Sequence, residues 1–255
     1  LVKKIFDILI GKSILKNASI LVAETEVGVD EYIDLDRTIN RDEIVVLSPP
    51  FDTDEYIQLP KKGDFRKKYN ILPSEKVVSF LGRVHYIKGN DFLIKGFAEF
   101  VKHDQHSRLV IIGPDDGHMT ECKKIVIDLN IEDKVIFTGF LGGEYKNSAL
   151  VDSDIVVQLS RQEQGAWAPL EAVLCETPIV VTDHTGTGED IKRMDAGYLV
   201  TFDDVIGLSN IFSTIFANYD LAMNKTLKAK QYIEQHLSFN YRVDEYTDIY
   251  NNSIK

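Results

Sequence analysis

The sequence predicts an α/β fold built on a doubly wound parallel sheet. Two observations carry this. Short β-branched runs, "VVSFLG" (77–82), "RLVIIG" (108–113), "KVIFTG" (134–139), "DIVVQLS" (154–160), "PIVVTD" (178–183) and "GYLVTF" (197–202), alternate with segments of helical period. Three of the first four runs end in glycine and the fourth in serine, as expected where backbone must come close to a ligand beyond the carboxyl ends of the strands. At 255 residues, 44% hydrophobic and 10% aromatic, the chain can bury a full core.

Residues 1–45 are expected to stand apart. They hold a helix, the run "SILVAETEV", a second helical stretch and "DEIVVLSPPFD", with no complete βαβ unit, and read as the end of a preceding domain plus a linker. The opening segment, with Ile5, Ile8, Leu9 and Ile14 at helical spacing, predicts an amphipathic helix rather than a signal peptide. Pro49, Pro50, Pro60 and Gly63 punctuate the linker before the helix "DFRKKYN". The main domain is placed at 46–237. Its covering helices are "DFLIKGFAEFVKH", "MTECKKIVIDLN", "GEYKNSALVDS" and "PLEAVLCE", followed by a helical tail from Asp204; residues 238–255 form a terminal helix.

Composition excludes several functions. A net charge of −11 argues against a broad nucleic-acid or anionic-membrane footprint, so an anionic ligand must be held by local cations. No apolar run reaches the roughly 20 residues of a membrane-spanning helix. Cys122 and Cys175 lack metal-ligand spacing and read as reduced, half-buried thiols of a cytoplasmic protein.

The chemistry concentrates at the predicted ligand edge. After the strand ending at Ser160, "RQEQGAWA" forms a loop and Pro169 opens a helix, placing Glu163 in the loop and Glu171 in the first helical turn. Backbone amides around Gly165, Ala166 and Trp167 make an anion site at that helix N-terminus. The two carboxylates suit hydroxyl groups, of which a sugar has many; the plainer alternative is a helix-dipole partner and a solvated loop residue. In "FLGRVHYIKGNDFLIKGF" (80–97), Arg83 and Lys88 follow Gly82 at the end of the first strand. Both can neutralise a diphosphate, Arg83 through a planar fork and Lys88 as a point charge.

Gly82-Arg83, Lys88-Gly89 and Glu163 with Glu171, supported by "VIFTGFL" (135–141) and "CETPIVVTD" (175–183), resemble the retaining glycosyltransferases of family 4 over residues 45–240. The resemblance implies one Rossmann-like half of a GT-B architecture, binding a nucleoside-diphosphate sugar and passing the sugar to a sugar, glycan or lipid-linked acceptor with retention at the anomeric carbon. Arg83 and Lys88 would hold the diphosphate and stabilise it as it leaves. Glu171 would accept from the ribose hydroxyls, and Glu163 would contact the transferred sugar. Gly139, Phe140 and Leu141 would line the base pocket, and amides near Gly165–Trp167 would help with the distal phosphate. No cofactor or metal is implied. The acceptor domain is expected to be missing apart from residues 1–45, the terminal helix is expected to cross back to it, and the location is expected to be cytoplasmic or peripheral at the inner membrane face. The chain departs from the family in reading "QGAW" where glycine, an aromatic, glycine and an aliphatic residue are usual, and in having Glu176 where glycine is common.

Other candidates fall into place around this reading. "DSD" (152–154) precedes its strand and reads as a helix cap or turn rather than a metal triplet. "HDQH" (103–106) reads as a solvated helix end, His85 and His184 lie near strand ends, and "GTGEDI" (186–191) could offer amides near the sugar. Trp167 reads as a core or interface aromatic, with a sugar-stacking platform as the alternative. Two rival functions stay open: a non-catalytic nucleotide-sugar-binding module and a GT-B-type sugar-nucleotide epimerase.

Overall fold

The computed structural model describes residues 6–253. It opens with a π-helical turn (Asp7–Gly11) running into α1 (Lys12–Asn17). The expected helix is there, but Leu9 and Ile14 face solvent while Leu15 turns inward. The π turn inserts extra residues into the helical repeat and so rotates the apolar stripe; Ile5 and the side chain of Ile8 lie outside the described part of the structure.

Strand β1 (Leu21–Ala23), α2 (Glu26–Leu35) and β2 (Ile44–Val46) follow, with β1 and β2 paired in parallel. Residues 1–45 therefore contain most of a small βαβ unit, contrary to the expectation from sequence. Each strand is only three residues long, too short to show a clear pattern. Ala23, Val29, Ile39 and Ile44 close its own small core.

The larger unit begins with α3 (Asp64–Lys68) and β3 (Lys76–Leu81). Then come α4 (Asn90–Val101), β4 (Ser107–Ile112), α5 (Met119–Asp128), β5 (Val135–Gly139), α6 (Glu144–Val151) and β6 (Ile155–Gln158). The chain continues through α7 (Trp167–Leu174), β7 (Ile179–Thr182), α8 (Gly186–Met194) and β8 (Tyr198–Val200). The tail is α9 (Val205–Ala217), α10 (Tyr219–His236) and α11 (Phe239–Ser253). All six strands β3–β8 run parallel in the order β5-β4-β3-β6-β7-β8, the predicted doubly wound sheet.

Period-two alternation sorts the core between the two faces. Val78 and Phe80 of β3 meet Phe92, Phe97 and Phe100 of α4 and Phe212 of α9, whereas Val77 meets Phe65 and Ala149 on the other face. Each fully buried phenylalanine contributes roughly 1.5–3 kcal/mol relative to an exposed one. Cys122 and Cys175 lie wholly inside these layers rather than half-buried, and burial pushes both thiols up to about 12, which leaves them unreactive.

The "DSD" segment is structural, as expected, though it caps a helix other than its own. Asp152 accepts from the Gly63 and Arg66 amides at the start of α3 (2.6 and 3.1 Å), and Asp154 takes the Arg66 guanidinium (2.9 Å) and the Val77 amide (2.7 Å). Among the described residues, no helix is long and apolar enough to cross a membrane. Finally, Phe51 and Ser238 form a parallel bridge, with Phe51 N–H donating to Leu237 O and Phe239 N–H to Phe51 O, both at 2.9 Å. Beyond it, α11 sends the Tyr246 hydroxyl to the Leu47 carbonyl (3.2 Å).

Candidate functional site

The strand order reverses between β3 and β6. From β3 the chain winds out through β4 and β5, then returns to β6 on the opposite side. Two crossovers leaving in opposite directions open a crevice at the carboxyl ends of these strands, the usual ligand position in such sheets. Its walls are the loop 82–89 after β3 and the loop 159–166 after β6.

Lys88 and Glu163 meet across this crevice as an ion pair, with the Glu163 carboxylate also accepting from the Ser160 hydroxyl (3.3 Å). Their side chains are only 19% and 16% exposed, so the attraction is screened far less than at the surface. Gly89 makes the approach possible. Its φ is +67°, and a Cβ there would lie 1.9 Å from the Leu159 carbonyl oxygen. The two loops are further locked by Arg161, whose guanidinium forks onto Asp91 (2.9 and 2.6 Å) and lies over the Tyr86 ring (3.8 Å to its centre). Burial works to raise the Asp91 carboxyl, but Arg161's hydrogen bonds and charge outweigh it and hold the group below its ordinary range.

Glu171 forms a second pairing. The helix starts at Trp167, two residues before the expected Pro169, so Glu171 lies in its second turn rather than its first. It takes the ammonium of Lys146 on α6 (2.8 Å), which also reaches the Tyr56 hydroxyl (3.1 Å). Burial, followed by the charge of Glu171, drives the Tyr56 hydroxyl well above its ordinary range. Lys146 and Arg161 did not emerge from sequence reasoning. For Lys146 a signal existed: it sits in the first turn of a helix leaving the ligand edge.

The other expected residues spread along the same edge. Gly82 directly follows β3, and Arg83 extends into solvent, 64% exposed, paired with Asp116. After β5, Gly139 holds φ +72° and Phe140 is 75% exposed. Leu141 packs on the Phe65 cluster and, with Lys68, Tyr69 and Tyr145, lines a separate cavity of about 270 Å³. His184 Nε2–H donates to the Arg161 carbonyl (3.0 Å), and His85 Nδ1 accepts from the Ile87 amide (3.2 Å).

Gly165, Ala166 and Trp167 face the first unit. The Ala166 N–H donates to the Thr187 hydroxyl (2.8 Å), the Gly188 N–H to the Thr185 hydroxyl (3.1 Å) and the Gly186 N–H to the Glu163 carbonyl (2.9 Å). These amides, including the two from "GTGEDI", are engaged inside the protein. Glu24 presses on Gly165, where a Cβ would lie 2.5 Å from its Oε2. Burial and then the charge of Glu163 raise the Glu24 carboxyl; Asp190, lining the same small cavity, is pushed up to about 6, chiefly by burial. Trp167 is 46% exposed and packs on Phe51, ring centres 5.0 Å apart.

The edge thus offers carboxylate acceptors and ammonium donors in alternation, chemistry suited to an anionic ligand carrying hydroxyl groups. Among the described residues no group of three or more His, Cys, Asp or Glu side chains is arranged to hold a metal ion.

The family model for glycosyl transferases group 1 matches residues 61–234. An uncharacterized glycosyltransferase from Methanocaldococcus jannaschii is 31% identical over 145 residues, covering 56% of this chain and 36% of that protein. A D-inositol 3-phosphate glycosyltransferase from Gordonia bronchialis is 25% identical over 252 residues, covering 96% of this chain and 54% of that protein. In fold, the Anabaena protein HepE in complex with UDP-glucose superposes with a TM-score of 0.82 at 20% identity, covering 92% of this chain and 64% of that one. The chain thus spans between about a third and two thirds of these three proteins.

Proposed function

Because the chain belongs to the group 1 glycosyl transferases, we propose that it is the nucleotide-sugar half of a retaining family 4 enzyme with GT-B architecture, moving a hexose from a nucleoside diphosphate to an acceptor. The observation that carries this reading is the Lys88–Glu163 pair across the switch point, where a cation and a hydroxyl acceptor stand side by side in a half-buried crevice.

In this reading Lys88 and Arg83 take the diphosphate. Lys88 is already in place, whereas Arg83 swings in from Asp116. Glu163 accepts hydroxyl hydrogens from the sugar, and Glu171, held in place by Lys146, accepts them from the ribose. Gly139, Phe140 and Leu141 lie along the path of the base. The bond between the anomeric carbon and the diphosphate oxygen breaks while the acceptor oxygen attacks on the same face, and the departing phosphate takes the acceptor's proton. Charge building on that phosphate is what Arg83 and Lys88 stabilise. Residues 1–45 and the helix from 238 belong, in this reading, with the acceptor-binding domain, and the hydrogen bonds from the Tyr246 hydroxyl to the Leu47 carbonyl and from the Leu47 N–H to the Ala23 carbonyl support that grouping. UDP is the first base to test, since HepE is known in complex with UDP-glucose.

Calorimetric titration with UDP, GDP, ADP and their sugars tests the proposal, using the natural chain and an Arg83→Ala, Glu171→Ala double variant. One nucleotide family is expected to bind, with affinity lowered at least about tenfold in the variant, the loss of one charge-assisted hydrogen bond or more. A folded chain that binds none of them overturns it.

A further inference from the structure

The loop carrying Glu163 is held from behind by the first unit. Glu31, on α2, receives the Gln162 side-chain amide on Oε1 (2.9 Å) and the Gln164 side-chain amide on Oε2. An ionised carboxylate only accepts, so both amides must present their nitrogens to it. Gln162 and Gln164 flank Glu163 in sequence. Both point to Glu31, and Glu163 points the other way to Lys88. Neighbouring backbone contacts support the same arrangement. Thr25, also in the first unit, donates its hydroxyl to the Gln164 carbonyl (3.0 Å), and the Gly186 amide holds the Glu163 carbonyl (2.9 Å). On α2, the Gln164 amide packs beside Gly28, its Oε1 3.4 Å from where a Cβ would stand at that position.

We propose that Glu31 is the positioning residue for Glu163: by clasping the two glutamines it fixes which way the intervening carboxylate faces, and so couples the first unit to the sugar end of the crevice. Gln164 is thereby one arm of the clasp. The consequence for ligand binding rests on the proposed function, because it takes Glu163 to touch the sugar; the clasp itself does not.

Two measurements on the full chain test this separately. Amide hydrogen exchange across residues 160–168 reads the clasp without any ligand. Glu31→Ala and the double variant Gln162→Ala, Gln164→Ala are each expected to speed exchange there about tenfold, since freeing the loop lowers its local opening cost. Glu31→Gln, which keeps one acceptor, is expected to fall between. Glu26→Ala, on the same helix but paired with Arg41 within the first unit, is expected to leave the loop unchanged. Unchanged exchange in both Glu31→Ala and the double glutamine variant overturns the proposal. Titration then reads positioning: Glu31→Ala is expected to weaken the nucleotide sugar about tenfold while leaving the bare nucleotide as it was. Equal weakening of both ligands overturns the positioning role. Failure of the natural chain to bind any nucleotide counts against the proposed function, and the exchange result then decides the clasp alone.

Discussion

The loop from Ser160 to Ala166 lies between two unlike walls. Toward the β3 loop it meets Lys88, and the Glu163 carboxylate finds a counter-charge there. Toward the first unit it meets Glu24, Asp190 and Glu31, and there burial raises the Glu24 carboxyl, with the charge of Glu163 adding to it, and pushes Asp190 up to about 6, with Glu189 and Glu24 adding to it. Charge of one sign has thus been placed on both sides of Gly165, balanced on one side and left partly unbalanced on the other. The balanced wall is a preorganised site. The acidic wall costs stability at neutral pH, as expected where carboxylates are kept for a reason other than holding the fold together.

The strongest way to break this contrast is to remove the cation. Lys88→Met leaves Glu163 half-buried and facing Glu24 without compensation. The expected loss in urea unfolding is about 2 kcal/mol, between the small value of a surface pair and the larger one of a buried pair. Adding Glu163→Gln should restore most of it, and a Lys88→Met chain as stable as the natural one would show that the two walls do not differ.

Next comes the acidic wall. Asp190 holds its proton in the folded chain up to about pH 6, while in the unfolded chain it loses it near its ordinary 3.8. Stability therefore falls as pH rises through that window, and the penalty is full above it. Asp190→Asn should raise the melting temperature at pH 7.5, by an amount equivalent to about 1 kcal/mol after loss of the Arg193 contact, and change it little at pH 4. A gain that is the same at both pH values would show that the Asp190 proton does not set the difference.

The smallest expected effect sharpens the comparison from outside. The Arg83–Asp116 pair is solvent-exposed, so Arg83→Ala should move unfolding by under about 0.5 kcal/mol. Lys88 and Arg83, five residues apart, would then differ several-fold in their weight on stability, whatever their shared part in binding.

Much of this was legible in sequence, and the reason is range. Strands β3–β8 announce themselves through β-branched runs, and glycines mark the ligand edge, because both signals are local. Lys88 and Glu163 were each readable as edge residues. Their meeting depended on the β3–β6 adjacency, which no local pattern encodes. Lys146 was missed because its partner Glu171 lies 25 residues on, and Glu31 because its partners lie more than 130 away. The small βαβ unit from Leu21 to Val46 escaped notice because three-residue strands carry too little alternation to detect. Glu176 is a departure that the structure explains only as a cost: its φ of +60° is the left-handed conformation that glycine prefers, and its carboxylate pairs with Lys230 (2.8 Å).

The bridge between Phe51 and Ser238 has a mechanical consequence. Two stretches of chain, far apart in sequence, lie side by side there and are stitched by paired backbone hydrogen bonds. A single flexible tether would let the parts it joins swivel in every direction. Two stitched together act like the leaves of a door: sliding and twisting strain the stitches, while swinging about their common line does not. Of the possible movements of the small βαβ unit against the large sheet, the bridge leaves freest the one that swings about its own line.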